Sequence, residues 1–141
     1  RILADTQAQS MYVSPILQAV ALDVVTQPAW RTHLRGLRRQ LADRRDLLAA
    51  SLREHVPGAE LPVLPRGGLN LWLHLPDGTD LPRLVRDCES GGVVVGTGNE
   101  WFPAEPTGPH LRLNYSGQNP GAFPEGARII GSALARQQGK P

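Results

Sequence analysis

Lysine is nearly missing from this sequence: of 141 residues only Lys140 is one, second from the end. A lysine that forms a Schiff base needs a setting that lowers its pKa. A chain end offers none, so Schiff-base chemistry is not expected from this chain alone. Cysteine is as scarce. Cys88 is the only one, which excludes an internal disulfide and the closely spaced Cys pairs of structural zinc sites. The four histidines, His33, His55, His74 and His110, include no i, i+4 helical pair, and no metal is expected. No serine sits in a nucleophile-elbow setting. No run approaches the roughly 20 apolar residues that cross a bilayer, and the first residues carry no signal-peptide pattern. The expectation is a soluble, cytoplasmic protein with no membrane partner. Net charge is only +2, and fourteen of the fifteen basic residues are arginine. Bulk charge therefore gives no argument for nucleic acid.

The length suits one domain. Ser14-Pro15 reads as a helix start with serine as cap, and a helix over about 15–26 follows. Thr26-Gln27-Pro28 repeats the signal. Beyond it Trp30, Leu34, Leu37, Leu41, Leu48 and Leu52 keep a helical spacing, predicting one long amphipathic helix from about 28 to 54 that stops at Pro57-Gly58. Its length suits a strut between two bodies. The helix is rich in arginine, but Asp43, Asp46 and Glu54 interrupt the run; a solvated, ion-paired surface is the expectation.

The period then changes. Leu69, Leu71, Leu73 and Leu75 alternate with Asn70, Trp72 and His74, the two-residue repeat of a half-buried strand. Pro76-Asp77-Gly78 is a turn. Asp80 caps a helix with Leu81, Leu84, Val85 and Cys88 on one face, ended by Gly91-Gly92. Val93 to Val95 reads as a short buried strand, and residues 96–109 as a loop too long to be a mere connector. Its Gly96-Thr97-Gly98 does not open a helix, so the glycines are turn residues and not a phosphate loop. A strand at 110–115 alternates Leu111, Leu113 and Tyr115 with His110, Arg112 and Asn114. A last helix starts near Pro124, turns Ala127, Ile130 and Leu134 inward, and leaves residues 137–141 as a frayed tail. The fold class is α+β: a small mixed or antiparallel sheet of three or four strands covered by helices and preceded by a long helix. The apolar residues between Ile2 and Val25 exceed what so small a core covers, so a sticky or oligomeric chain is expected.

If both strands share a sheet with leucines inward, Asn70, Trp72, His74, His110, Arg112 and Asn114 lie on its other face. Arg112 is then the natural anion anchor, because a guanidinium gives two parallel hydrogen bonds to a carboxylate. An ordinary solvated sheet face fits the same pattern.

Several motifs in order carry a family resemblance. Pro65 to Gly68, then Leu71-Trp72 and Leu75-Pro76, resemble the signature that opens the small domain of fold-type I pyridoxal-phosphate aminotransferases. His110-Leu111-Arg112-Leu113-Asn114-Tyr115 is similar to their "L-R-L-x-[YF]" strand. Ser14 with Gln18, His33 to Arg38 with Arg44-Arg45-Asp46, Gly92-Val93, Phe102 and Glu125-Gly126 extend the likeness over nearly the whole chain. Gly96-Thr97-Gly98 departs from it, standing where family members commonly have a Pro-Gly pair.

The resemblance implies that Arg112 binds the carboxylate of an amino acid or keto acid, with Gly68, Asn70, Trp72 and Asn114 lining the site and no catalytic residue in this chain. It implies four parts: 1–27 a segment and helix from the large-domain side, 28–56 a connecting helix, 57–137 the small domain and 138–141 a tail. The cofactor lysine and phosphate cradle belong to a large domain outside this sequence. Pyridoxal phosphate is therefore expected in the intact protein and not on this chain alone. The arginine-rich helix most resembles MocR-type regulators, in which a GntR winged helix precedes an aminotransferase-like effector domain. That implies a homodimer touching DNA only through the separate winged helix. An aminoadipate- or kynurenine-type aminotransferase is the alternative.

Overall fold

The computed structural model describes residues 14–139. Internal contacts divide the chain into a unit ending at Leu37 and a second starting at Arg38.

In the first unit, helix α1 (Pro15–Thr26) starts where Ser14 and Pro15 predict, although Ser14 makes no side-chain capping bond. Gln27 is extended (φ −67°, ψ 141°), as expected of a residue whose α conformation is blocked by a following proline. Thr26 does not cap the next helix: its hydroxyl donates back to the carbonyls of Leu22 and Asp23. None of the residues of α1 is buried, and Ile16, Leu17, Val20 and Leu22 are exposed.

Helix α2 (Pro28–His55) is one continuous element, as its periodicity predicts. Its stripe is covered unevenly. Leu48, Ala49, Ser51 and Leu52 are buried near its end, while Leu37 is exposed.

The second unit holds strands β1 (Asn70–His74), β2 (Gly96–Thr97) and β3 (His110–Asn114), helices α3 (Leu81–Ser90) and α4 (Phe123–Gln137), and the end of α2. The sheet is antiparallel throughout, in the order β1-β3-β2. Leu71, Leu73, Leu75, Leu111, Leu113 and Tyr115 are buried in one core with residues of α2, α3 and α4. This is the two-layer α+β arrangement the alternation implies, with helices on the leucine face of the sheet. Asp80 caps α3, its Oδ1 accepting from the Arg83 amide at 2.9 Å.

Two expectations need correction. Val93 to Val95 do not form a strand. Val94 is exposed and only Val95 is buried, and the pairing begins at the next residue, with Gly96 and Thr97. Capping of α3 consumes the space before it: the Gly91 and Gly92 amides and that of Val93 all bond back to the last carbonyls of the helix. Nor is Gln137 frayed. Its side-chain amide donates to the Asp80 carbonyl at 3.1 Å and accepts from the Asp80 amide at 3.0 Å, tying the end of α4 to the start of α3.

Cys88 is fully buried, and burial first, then the neighbouring Asp87, pushes its thiol above the ordinary range. Since only the thiolate reacts, the native chain should be modified by a thiol reagent far more slowly than the urea-unfolded chain. Equal rates would place Cys88 outside the core.

Among the described residues no helix is long and apolar enough to cross a membrane, and no group of three His, Cys, Asp or Glu residues is placed to hold a metal ion.

Candidate functional site

Register settles the question of the two strand faces. Asn70 stands opposite Asn114, Trp72 opposite Arg112, and His74 opposite His110. All six side chains therefore share the face away from the helices. The Asn114 amide donates to Asn70 Oδ1 at 3.2 Å, while Asn114 Oδ1 accepts from the Ser116 amide and hydroxyl. The His74 and His110 rings lie 4.7 Å apart.

This face is not a solvated surface along its whole length. The loop after β2 folds over it and covers the His110 end. Phe102 packs edge-on against Trp72 and His110, with centroids 5.5 and 5.2 Å apart. His110, read from alternation as an outward residue, is only 6% exposed, and its Nδ1 lies 2.8 Å from the Gly108 carbonyl. Strand alternation gives the side of the sheet a residue takes; it does not show what covers that side.

Gly98 allows the covering loop to come so close. Its amide donates to the His110 carbonyl at 2.7 Å. A Cβ there would lie 2.7 Å from His110 Cβ and 3.0 Å from the Trp72 ring. Only glycine fits without moving the sheet or the loop. The Gly98 carbonyl then accepts from the Trp101 amide at 3.0 Å, closing a single 3-10 turn over Asn99–Trp101. That turn sets the Trp101 ring over Arg112, with the guanidinium carbon 4.0 Å from the ring centroid, well within cation–π range.

Arg112 is half-buried. Its hydrogen-bond donors find no acceptor among the described residues, whose ion pairs join Arg45–Asp46, His55–Glu54, Arg128–Glu125 and Arg136–Asp87. β3 also runs two residues past its last pairing with β2. Where that pairing stops, a cleft of about 430 Å³ opens between the strand, residues 92–96 and the first half of α4. Asn70, Arg112, Asn114 and Asn119 give it polar atoms; Val93, Val95, Phe123 and Ile130 give it an apolar wall. Among the described residues Arg112 is the only cation in that lining, and no acidic residue joins it. Such a cleft can hold one carboxylate against the guanidinium with a modest apolar body beside it.

Of the residues singled out from the sequence, Asn70, Arg112 and Asn114 line this cleft, whereas Trp72 lies outside it, under the covering loop. Gly68 is elsewhere. With a φ of +89° it lines a separate hollow with Arg38, Arg45, Arg66 and Tyr115. Residues 92–96 and α4 read from sequence as core and family matches, Phe102 as a family match, and none of them, nor Trp101, as a wall of a site. Nothing in local periodicity points to residues brought in by a loop and a distant helix. Two helix arginines are also more than solvated charge: Arg44 donates to the Ser116 and Gly117 carbonyls, and Arg45 to that of Pro65.

No family model matches the chain. It is 28% identical over 115 residues to an uncharacterized HTH-type transcriptional regulator, YdfD, of Bacillus subtilis, covering 81% of this chain and 23% of the regulator. To the 2-aminoadipate transaminase of Thermus thermophilus it is 25% identical over 121 residues, covering 86% of this chain and 30% of the transaminase. The chain thus spans less than a third of the length of these curated relatives. Among solved structures, the α-aminoadipate aminotransferase LysN of Thermus thermophilus superposes with a TM-score of 0.82 at 22% identity, over 96% of this chain and 35% of that one. That likeness establishes the fold.

Proposed function

We propose that this aminotransferase-like small domain, whose relatives include both an HTH-type regulator and aminotransferases, is the C-terminal part of the effector domain of a MocR/GntR-type transcriptional regulator. In it, Arg112 grips the carboxylate of an amino acid or keto acid ligand. The observation that carries the reading is the half-buried guanidinium at the cleft, whose donors find no acceptor among the described residues. An unpaired cation retained in such a place favours an anionic guest.

Pyridoxal phosphate enters as a group held by another part of the protein. The described residues include no lysine, and so no amine to bond a cofactor aldehyde; Lys140 lies outside them. When bound in a large domain, pyridoxal phosphate supplies the aldehyde with which an amine ligand reacts, while this domain contributes the grip on the ligand's carboxylate. Closure of the grip over a ligand is the differential contact through which separate winged helices can be repositioned on DNA. The uncovered apolar side chains of α1 fit a segment that meets further protein, a large domain or a second subunit.

A second reading, the small domain of an aminoadipate- or kynurenine-type aminotransferase, is favoured by the transaminase likeness over 86% of the chain. The coding sequence preceding Arg1 separates the two. A winged-helix domain ahead of a cofactor-binding domain is expected. A cofactor-binding domain with no DNA-binding domain would transfer the assignment to the enzyme.

A further inference from the structure

We infer that Trp101 is a positioning residue for Arg112, fixing the guanidinium as a one-carboxylate receptor at the mouth of the cleft. The inference rests on the carboxylate-grip reading and goes beyond it to a residue outside the strand. Three observations converge. The Trp101 ring lies 4.0 Å from the Arg112 guanidinium carbon. The turn carrying it is tied to β3 through Gly98, where any side chain would collide with His110 and Trp72. Arg112 has no hydrogen-bond or ion-pair partner among the described residues to orient it instead.

The chemistry of the pair follows from its geometry. A guanidinium carries its N–H donors in its own plane, at its edge, and an aromatic ring binds its flat face. The cation–π contact therefore restrains the side chain without using a hydrogen-bond acceptor. A free arginine must give up rotamer freedom when it closes on a carboxylate; one already held against a ring has given up part of it. An acidic partner would restrain the side chain too, but would occupy the donors and repel the ligand. Trp101 is itself 58% exposed, so its role does not reduce to filling the core.

The test uses the 141-residue chain labelled with nitrogen-15, titrated with propionate and, separately, with propionamide as a neutral probe. The Arg112 Nε–H resonance is identified by its loss in Arg112→Gln. Expected are an upfield ring-current displacement of that resonance that disappears in Trp101→Leu, and a saturable shift with propionate but not propionamide. Trp101→Leu should bind propionate about two- to five-fold more weakly, the size of an exposed cation–π contact, with its backbone amide spectrum otherwise unchanged. Trp101→Phe, which keeps an aromatic face, should fall nearer the wild type. Propionate binding lost in Arg112→Gln but unchanged in Trp101→Leu would overturn the positioning role and leave the carboxylate grip standing. No propionate response in the wild-type chain, with the ring-current displacement present, would overturn both.

Discussion

Replacing Gly131 with Ala is expected to destabilise the chain by about 3 kcal/mol, the upper end of the usual cost of overpacking, although the same change usually favours a helix by about 1 kcal/mol. Gly131 lies in the interior of α4 and is buried. An added Cβ would fall inside the van der Waals shell of the His55 carbonyl oxygen and close to its carbon, at the end of α2. A side chain in the way can swing aside, but a backbone carbonyl cannot. The end of α2 and the middle of α4 would have to separate, loosening Leu52, Val56, Ile130 and Leu134, all of them buried core residues. Gly126, in the same helix, is the control. A Cβ there meets only Val93 Cγ2, at 4.0 Å, so Gly126→Ala should leave stability unchanged or raise it by up to about 1 kcal/mol. Urea unfolding of the two variants reads the difference. If both midpoints move the same way, α4 does not approach α2 this closely in solution.

The helices and the two long strands were legible because their signals are local. Spacing of leucines gave α2, an acid three residues ahead of the Arg83 amide gave the cap of α3, and strict alternation gave β1 and β3. The face of each strand was legible as well, since leucines on one side force Asn70, Trp72, Arg112 and Asn114 to the other; which residues stand opposite one another was not. What could not be read was set by non-local geometry. The valines at 93–95 have strong strand propensity, but the closing bonds of α3 hold the chain back until Gly96. Gly68 follows Gly67 and sits in the same stretch of sequence as Asn70, yet a positive φ turns the chain there and sends it to a different hollow. The glycines at 96 and 98 were read as turn formers. At 98 the requirement is a close approach to His110 and Trp72 that no local pattern encodes. As a result the sequence pointed to Arg112 and not to the aromatic ring above it.

Arg112→Ala, made in the intact protein, should weaken carboxylate ligands on the order of 10- to 100-fold while leaving the fold in place. The two effects separate for a physical reason. The guanidinium makes no hydrogen bond or ion pair with the described residues, so its removal orphans no protein group; the folded state loses the Trp101 contact, worth about 0.5–1 kcal/mol at an exposed site. The ligand loses charge-assisted hydrogen bonds worth about 1.5–3 kcal/mol, with no second cation among the described residues of the cleft to replace them. Arg112→Lys should be intermediate, since it keeps a charge but not the planar fork that meets both carboxylate oxygens. Affinities of an amino acid and of its primary amide, measured side by side, isolate the term: the acid should lose most of its advantage over the amide in Arg112→Ala, and the amide should bind much as before. On the proposed reading, in which another part of the protein holds the cofactor, cofactor absorbance should also be unchanged. An acid-to-amide ratio that survives the substitution would remove Arg112 from the ligand site, and with it the main physical ground for placing a carboxylate in this cleft.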